Sequence, residues 1–243
     1  MNLKKIVAIT SCSLIGLTVN AYSDTKPTGI TVGPQASYTV GYQIGSGIAN
    51  QNFGIDNSEA AKGFEDALKG NQPKISKEQM QKDMEILKNK LAKKQIDIAK
   101  QNEINSEKLI NEISKIDGIT KVNDGVYYQV IEKGDGKKPN ADSKVTIAYN
   151  GTTPAVAYEK DNEKALNAIK QGKLIGSSFD SSEGVSFPLT NLIKCWKDAI
   201  PQIPTGSTVI LYCAPDTAYG TRAPAAIGPN QVLSFKITLK SFS

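Results

Sequence analysis

The stretch Ile113-Ser-Lys-Ile-Asp-Gly-Ile-Thr-Lys-Val-Asn-Asp-Gly-Val-Tyr-Tyr-Gln-Val-Ile-Glu-Lys-Gly134 is where the chain changes character. Before Asp117-Gly118 it is rich in Lys, Gln, Glu, Asn and Ile; after it come Val, Tyr, Thr, Gly and Pro. No Gly or Pro interrupts residues 74 to 117. That composition reads as a helical part followed by a β-rich part, an α+β chain.

The helical side carries one long element. Ser76-Lys77-Glu78-Gln79 has the spacing of a capping box, and Met80, Met84, Leu87, Leu91 and Ile98 follow as a narrow stripe at helical spacing. A connecting helix over 76–115 is expected, roughly 50 Å long at 1.5 Å per residue. Two shorter helices precede it within 22–75. One is expected over Tyr38–Asn50, where Gly41, Gly45 and Ala49 form a small-residue strip. The other is expected over Ser58–Lys69, capped by Asn57 or Ser58 and stopped by Gly70, with Ala61, Phe64 and Leu68 on one face. Two helices of this size bury too little to make a core alone, so this region is expected to dimerise.

The first 21 residues have the grammar of an export signal. Lys4 and Lys5 precede an apolar stretch from Ile6 to Val19, and Val19-Asn20-Ala21 offers small residues at a cleavage site. The stretch is short and broken by Thr10, Ser11 and Ser13, which argues against a spanning helix. Removing Lys4 and Lys5 from the 29 basic residues leaves 27 against 24 acidic ones, a balance of about +3. So weak and dispersed a charge does not call for nucleic acid. The chain has no histidine. That excludes Ser-His and Cys-His nucleophiles and most zinc sites; no cofactor or metal is expected.

On the β-rich side, strands are expected at Gly125–Gly134, Lys144–Gly151, Ser207–Pro215 and Gln231–Phe242, with turns at Gly134-Asp135-Gly136 and Asn150-Gly151. Four or five antiparallel strands and a short helix within Leu192–Ile200 make a half-barrel sheet. Residues 152–176 stand out as an insert, with one helix expected over Tyr158–Gln171 whose inner face is Ala165, Leu166 and Ile169. The aromatic and apolar residues of this part are Tyr149, Phe179, Phe187, Leu192, Ile193, Trp196 (the one tryptophan), Tyr219, Ile227 and Phe235, and Asp180 stands among them in SSFDSS. A single acid walled by aromatics is poorly suited to hydrolysis. It suits holding an apolar side chain beside a peptide bond.

In that order, VTIAYNG (145–151), FDSS (179–182), LIKCWKDAI (192–200), PTGSTVILYCAPDTAYG (204–220) and IGPNQVLSFKITL (227–239) resemble the FKBP-type peptidyl-prolyl cis-trans isomerases. YQIGSGIANQNFGID (42–56), AAKGFEDALKG (60–70) and the Lys-rich helix are similar to the periplasmic macrophage infectivity potentiator-like members. The resemblance implies an N-terminal dimerisation region, the connecting helix and an isomerase domain over 116–243. It implies Trp196 as the floor of a proline pocket, with Tyr149, Phe179, Leu192, Ile193, Tyr219 and Phe235 as walls and Phe187 and Ile227 as further wall residues. Tyr149, Asp180 and Tyr219 would be the polar groups of the site: Asp180 accepting from the Tyr149 hydroxyl, Tyr219 donating to the substrate backbone. Proline-containing peptides and unfolded exported proteins would be the partners, and macrolide ligands of the family would fit. The place would be the periplasm, outer membrane or cell surface of a Gram-negative bacterium. The alternative reading is a catalytically weak chaperone or host-interaction module on the same fold.

Three departures stand out. Cys195 occupies the position of a family Gly, where a positive φ would strain it. The insert at 152–176 is expected to cover the pocket mouth or extend substrate contacts. The loop TRAPAAIGPN (221–230) is slightly short. After signal removal Cys195 and Cys213 are the two remaining cysteines, in a compartment where disulfides persist. A bridge between them would give the Gly-to-Cys departure a purpose; two buried free thiols are the other possibility.

Overall fold

The computed structural model describes residues 33–50 and 54–243. The expected signal peptide lies outside the described residues. The chain divides into two compact units, Met1–Lys69 and Gly70–Ser243.

In the first unit, α1 spans Pro34–Asn50 and α2 spans Asn57–Lys69. α1 begins four residues before the expected Tyr38, with Pro34 in the first turn, where its missing N–H costs nothing. α2 is capped by Asp56, not by Asn57 or Ser58: its carboxylate accepts from the amides of Ser58 at 2.8 Å and Glu59 at 3.2 Å. Gly70 ends it at φ 73°. Among the described residues neither helix buries a side chain. Tyr38 and Tyr42, 73% and 65% exposed, stack on one face of α1.

The second unit opens with α3, Lys77–Ile113, 37 residues and about 55 Å long. Ser76 caps it by accepting from the Gln79 amide at 3.1 Å. The reciprocal half of the expected capping box does not form, because the Gln79 side chain donates to Asp83 instead. The stripe from Met80 to Ile98 stays largely solvated, with Met84 50% exposed. Burial starts only at Asn105, Ser106, Leu109 and Ile113.

Six strands follow: β1 Ile119–Asn123, β2 Val126–Glu132, β3 Lys144–Thr153, β4 Ser177–Pro188, β5 Thr208–Cys213 and β6 Leu233–Phe242. They form one antiparallel sheet in the order β1-β2-β5-β6-β3-β4. β1 and β4 were not expected as strands. Both are edges of the sheet, with one neighbour each and half-exposed side chains, so neither carries an apolar run. Asn150-Gly151 is not a turn; both residues lie inside β3.

Two cores lie on the two faces of the sheet. Val209, Leu211 and Cys213 of β5 point into one, with Val145, Ile147, Leu233, Ile237 and the helix α6, Lys194–Ala199. Ile210 and Tyr212 point into the other, with Tyr127 and the last turns of α3. The insert forms two short helices, α4 Ala155–Lys160 and α5 Asn162–Lys170, not one. Asp161 breaks them: it takes an extended backbone and its side chain caps α5 by accepting from the Lys164 amide at 3.0 Å. Ala155 and Ile169 are buried in the α3 core, with Tyr158 and Leu166 against it. The insert therefore lies on the face opposite α6 and does not cover that face as expected. Leu109 and Ile113 belong to the same core, so the compact body reaches back into α3 beyond residue 116.

Ile169 is fully buried. Ile169→Ala should cost about 2–5 kcal/mol if the insert is core, seen as a lower urea midpoint; an unchanged midpoint would show that the insert does not pack.

Candidate proline-binding site

Trp196 sits in α6, 5% exposed, and two neighbouring strands supply rings that meet it edge-on. Tyr149 of β3 lies 5.3 Å away, centroid to centroid, and Phe235 of β6 lies 5.1 Å away, at 76° and 87°. Phe179 of β4 meets Phe235 at 5.8 Å and 87°. Edge-to-face packing of this kind fixes ring orientation as well as burying area. The register makes it possible: Gly151 of β3 lies opposite Phe235 on one side and Asp180 on the other. A Cβ at Gly151 would stand 2.7 Å from Phe179 and 2.8 Å from Phe235. The residue read from sequence as a turn signal thus clears room for two aromatic walls.

One carboxylate borders these rings. The Tyr149 hydroxyl donates to Asp180 Oδ2 at 2.6 Å, across β3 and β4. Burial first, then this hydrogen bond and the Asp180 charge, push the Tyr149 phenol well above its ordinary range. Tyr219, at the start of a 3-10 turn over Gly220–Arg222, is also raised, by burial first and then by the Asp180 charge. Both phenols are therefore neutral donors near neutral pH, and Asp180 acts electrostatically on both. Tyr219 remains 41% exposed.

Leu192 and Ile193 lead into α6 and pack half-buried on the same core, which also takes in Ile227. Phe187 packs there too, but it pairs with Val145 near the far end of β4 from Asp180. The arrangement brings Tyr149, Phe179, Asp180, Trp196, Tyr219 and Phe235 together and leaves Phe187 at the periphery. Sequence reasoning missed Gly151; its signal was the small residue two places after Tyr149.

Cys195 and Cys213 form a disulfide, with Cα atoms 5.7 Å apart. Cys195 has a helical backbone in α6, and the one non-glycine residue with positive φ among the described residues is Asn230. Cysteine is therefore unstrained at this position. The bond ties the residue before Trp196 to the end of β5.

This geometry can hold an apolar ring on an indole, present a phenol donor and place a carboxylate beside a peptide bond. It contains no nucleophile–base pair. Residues 135–240 match the family described as FKBP-type peptidyl-prolyl cis-trans isomerase, and residues 34–130 match the domain amino terminal to FKBP-type peptidyl-prolyl isomerase. The chain is 29% identical over 241 residues to the outer membrane protein MIP of Legionella longbeachae, covering 96% of each. It is 31% identical over 218 residues to the FKBP-type peptidyl-prolyl cis-trans isomerase FkpA of Aeromonas hydrophila, covering 84% of this chain and 74% of that one. The crystal structure of FkpA from Escherichia coli superposes with a TM-score of 0.58 at 25% identity, covering 86% of this chain and 95% of that one.

The disulfide closes a loop with a sequence separation of 18. A Cys195→Ala/Cys213→Ala variant should lose about 3 kcal/mol in urea unfolding. Thiol titration of the denatured, unreduced mature wild type, which lacks Cys12, should find neither Cys195 nor Cys213 reactive; finding both free would refute the bond.

Proposed function

Because this chain belongs to the FKBP-type peptidyl-prolyl cis-trans isomerases, we propose that it acts on X-Pro bonds of exported, unfolded polypeptides through Tyr149, Asp180 and Tyr219 above a Trp196 floor. The observation that supports this most is the 2.6 Å Tyr149–Asp180 hydrogen bond set beside the Trp196, Phe235 and Phe179 rings.

Rotation about an X-Pro bond is slow because it breaks amide resonance, a barrier of roughly 18–20 kcal/mol. The planar amide is strongly dipolar and the twisted one less so. A dry aromatic pocket therefore disfavours the planar ground state more than the twisted transition state. The proline ring packs on Trp196 between Phe179 and Phe235 while the preceding residue turns. Asp180, held by Tyr149, faces the moving carbonyl side, where its charge opposes the carbonyl dipole of the planar form. The Tyr219 hydroxyl donates to the peptide backbone and holds the part that does not rotate. No bond is made or broken, and each 1.4 kcal/mol of differential binding changes the rate about tenfold. Macrolide ligands of the family would occupy the same floor.

The charged and apolar grammar of residues 1–21 supports export, so the clients are proteins of the periplasm or cell surface. The first unit supports a homodimer. α1 and α2 leave Tyr38, Val40, Tyr42, Ile44, Phe64 and Leu68 exposed, more apolar side chain than a solvated helix pair ordinarily carries. Two linked sites would raise the effective concentration of one on a client held by the other.

Asp180→Leu and Tyr219→Phe should each lower kcat/KM for an X-Pro peptide about tenfold or more, with native circular dichroism. Wild-type turnover in both would end the assignment of these roles. Light scattering should give twice the chain mass for the mature protein, and Tyr42→Asp with Phe64→Asp should halve it; a monomeric wild type would rule the dimer out.

A further inference from the structure

The segment from Tyr219 to Val232 carries Tyr219 of the site and Ile227 of the core it is built on, yet contains no strand and no α-helix. Its own closure is a set of main-chain bonds: Arg222 N–H donates to the Tyr219 carbonyl at 3.2 Å and Ile227 N–H to the Pro224 carbonyl at 2.9 Å. Gly228 donates to the Pro224 carbonyl, and Asn230 N–H returns to the Gly220 carbonyl at 2.9 Å, beside Tyr219. Asn230 holds this return in the left-handed region at φ 53°.

The segment is also held from α3, over 100 residues away in sequence. Asn102 Nδ2 donates to the Pro229 carbonyl at 2.7 Å. Ser106 Oγ donates to the Asn230 carbonyl at 2.9 Å and accepts from the Val232 amide at 2.8 Å. Asn230 Nδ2 donates to the Ala99 carbonyl at 3.3 Å. Ala99, Asn102 and Ser106 are spaced three and four apart, one stripe of the helix. Ser106 is fully buried and its hydroxyl serves two main-chain groups, one of them the amide of fully buried Val232, which has no water to turn to. Nearer Tyr219, packing gives way to a cleft of about 460 Å³, between Glu103, Glu107 and Ile110 of α3 and the stretch Ala214–Asp216 with Gly220 and Thr221. Side chains of α3 thus do not back Tyr219 directly. The support reaches it through Asn230 and the Gly220 carbonyl.

We propose that Asn102 and Ser106 are positioning residues of the isomerase site: the connecting helix suspends the loop that bears Ile227 and sets Tyr219, and so helps define the peptide-binding wall. The proposal rests on the isomerase reading above. The wall meets the peptide in its planar and its twisted form alike, so loosening it weakens binding more than turnover.

The experiment uses the full mature chain and a short X-Pro peptide, with kcat and KM measured separately. Asn102→Asp keeps the shape but replaces the donor by an acceptor facing the Pro229 carbonyl. Ser106→Ala removes the shared hydroxyl. Each should raise KM about three- to tenfold with kcat within about twofold, the effect of losing one hydrogen bond in the first variant and two in the second. Ile169→Ala, destabilised in the same core as Val232 but taking part in none of the hydrogen bonds that hold the loop, should keep the wild-type KM at a temperature where it is folded. A wild-type KM in both loop variants, or an equal rise in Ile169→Ala, overturns the proposal. An inactive wild type would instead overturn the isomerase reading on which it rests.

Discussion

β5 is buried along its whole length, and its two faces serve different cores. Val209, Leu211 and Cys213 enter the core beneath the site; Ile210 and Tyr212 enter the core shared with α3 and the insert. A slip of one residue in its pairing with β2 or β6 would exchange the two sets. It would place the Tyr212 phenol, whose burial pushes its pKa upward, among the site walls. It would also carry Cys213 to the face away from Cys195. The position of Trp196 over the sheet, and the cover supplied by α3, both follow from that one register.

On the proposed reading, the site built on this register works by exclusion more than by reactive chemistry. Trp196 is held from three directions: by Cys195 through the bond to Cys213, by the Tyr149 edge and by the Phe235 edge. Asp180 is the group that interrupts an otherwise apolar surface, and a phenol from the neighbouring strand orients it. A carboxylate free to swing would find solvent; one fixed by a 2.6 Å hydrogen bond keeps its field pointed at the same place. Preorganisation of that kind is what a reaction without proton transfer requires, since the difference in dipole between planar and twisted amide is all it has to act on.

The parts legible in the sequence are those where burial forces a pattern. β2, β3, β5 and β6 carry enough Val, Ile, Leu and Tyr to be seen, and the long Gly- and Pro-free run announces α3. The edges were not legible. SSFDSSEGVSFP shows no strand pattern because β4 exposes about half its side chains and passes through two register shifts against β3. Asp161 looked like one more polar residue in a helix; only its extended backbone shows that it ends α4 and caps α5. The site was legible in another sense. Aromatics and one acid could be counted, but their grouping came from the order of motifs, because Tyr149 and Asp180 meet through strand pairing that spacing alone does not reveal. Asn102 and Ser106 had no signal at all. On a Lys- and Gln-rich helix, two more polar residues look like solvated surface, and what distinguishes them is a loop that arrives 124 to 127 residues later.

A sheet covered on one face by a six-residue helix needs cover on the other. Tyr127, Ile131, Ile210 and Tyr212 make that face apolar, and the chain covers it from both sequence directions: α3 before the sheet, α4 and α5 from within it. The helix that serves as cover is also the helix that continues outward as an exposed rod, from Ile98 back to Lys77. Leu109 and Ile113 seat it by burial, which sets its depth but constrains rotation weakly, because apolar contact is non-directional. The hydrogen bonds from Asn102 and Ser106 are directional and fix what burial leaves free. Their partners are the loop beside Tyr219, so the groups that set the helix on the sheet are the same groups that hold one wall of the pocket. Rolling the helix about its axis would strain those bonds before it disturbed Leu109, and the wall would move with them.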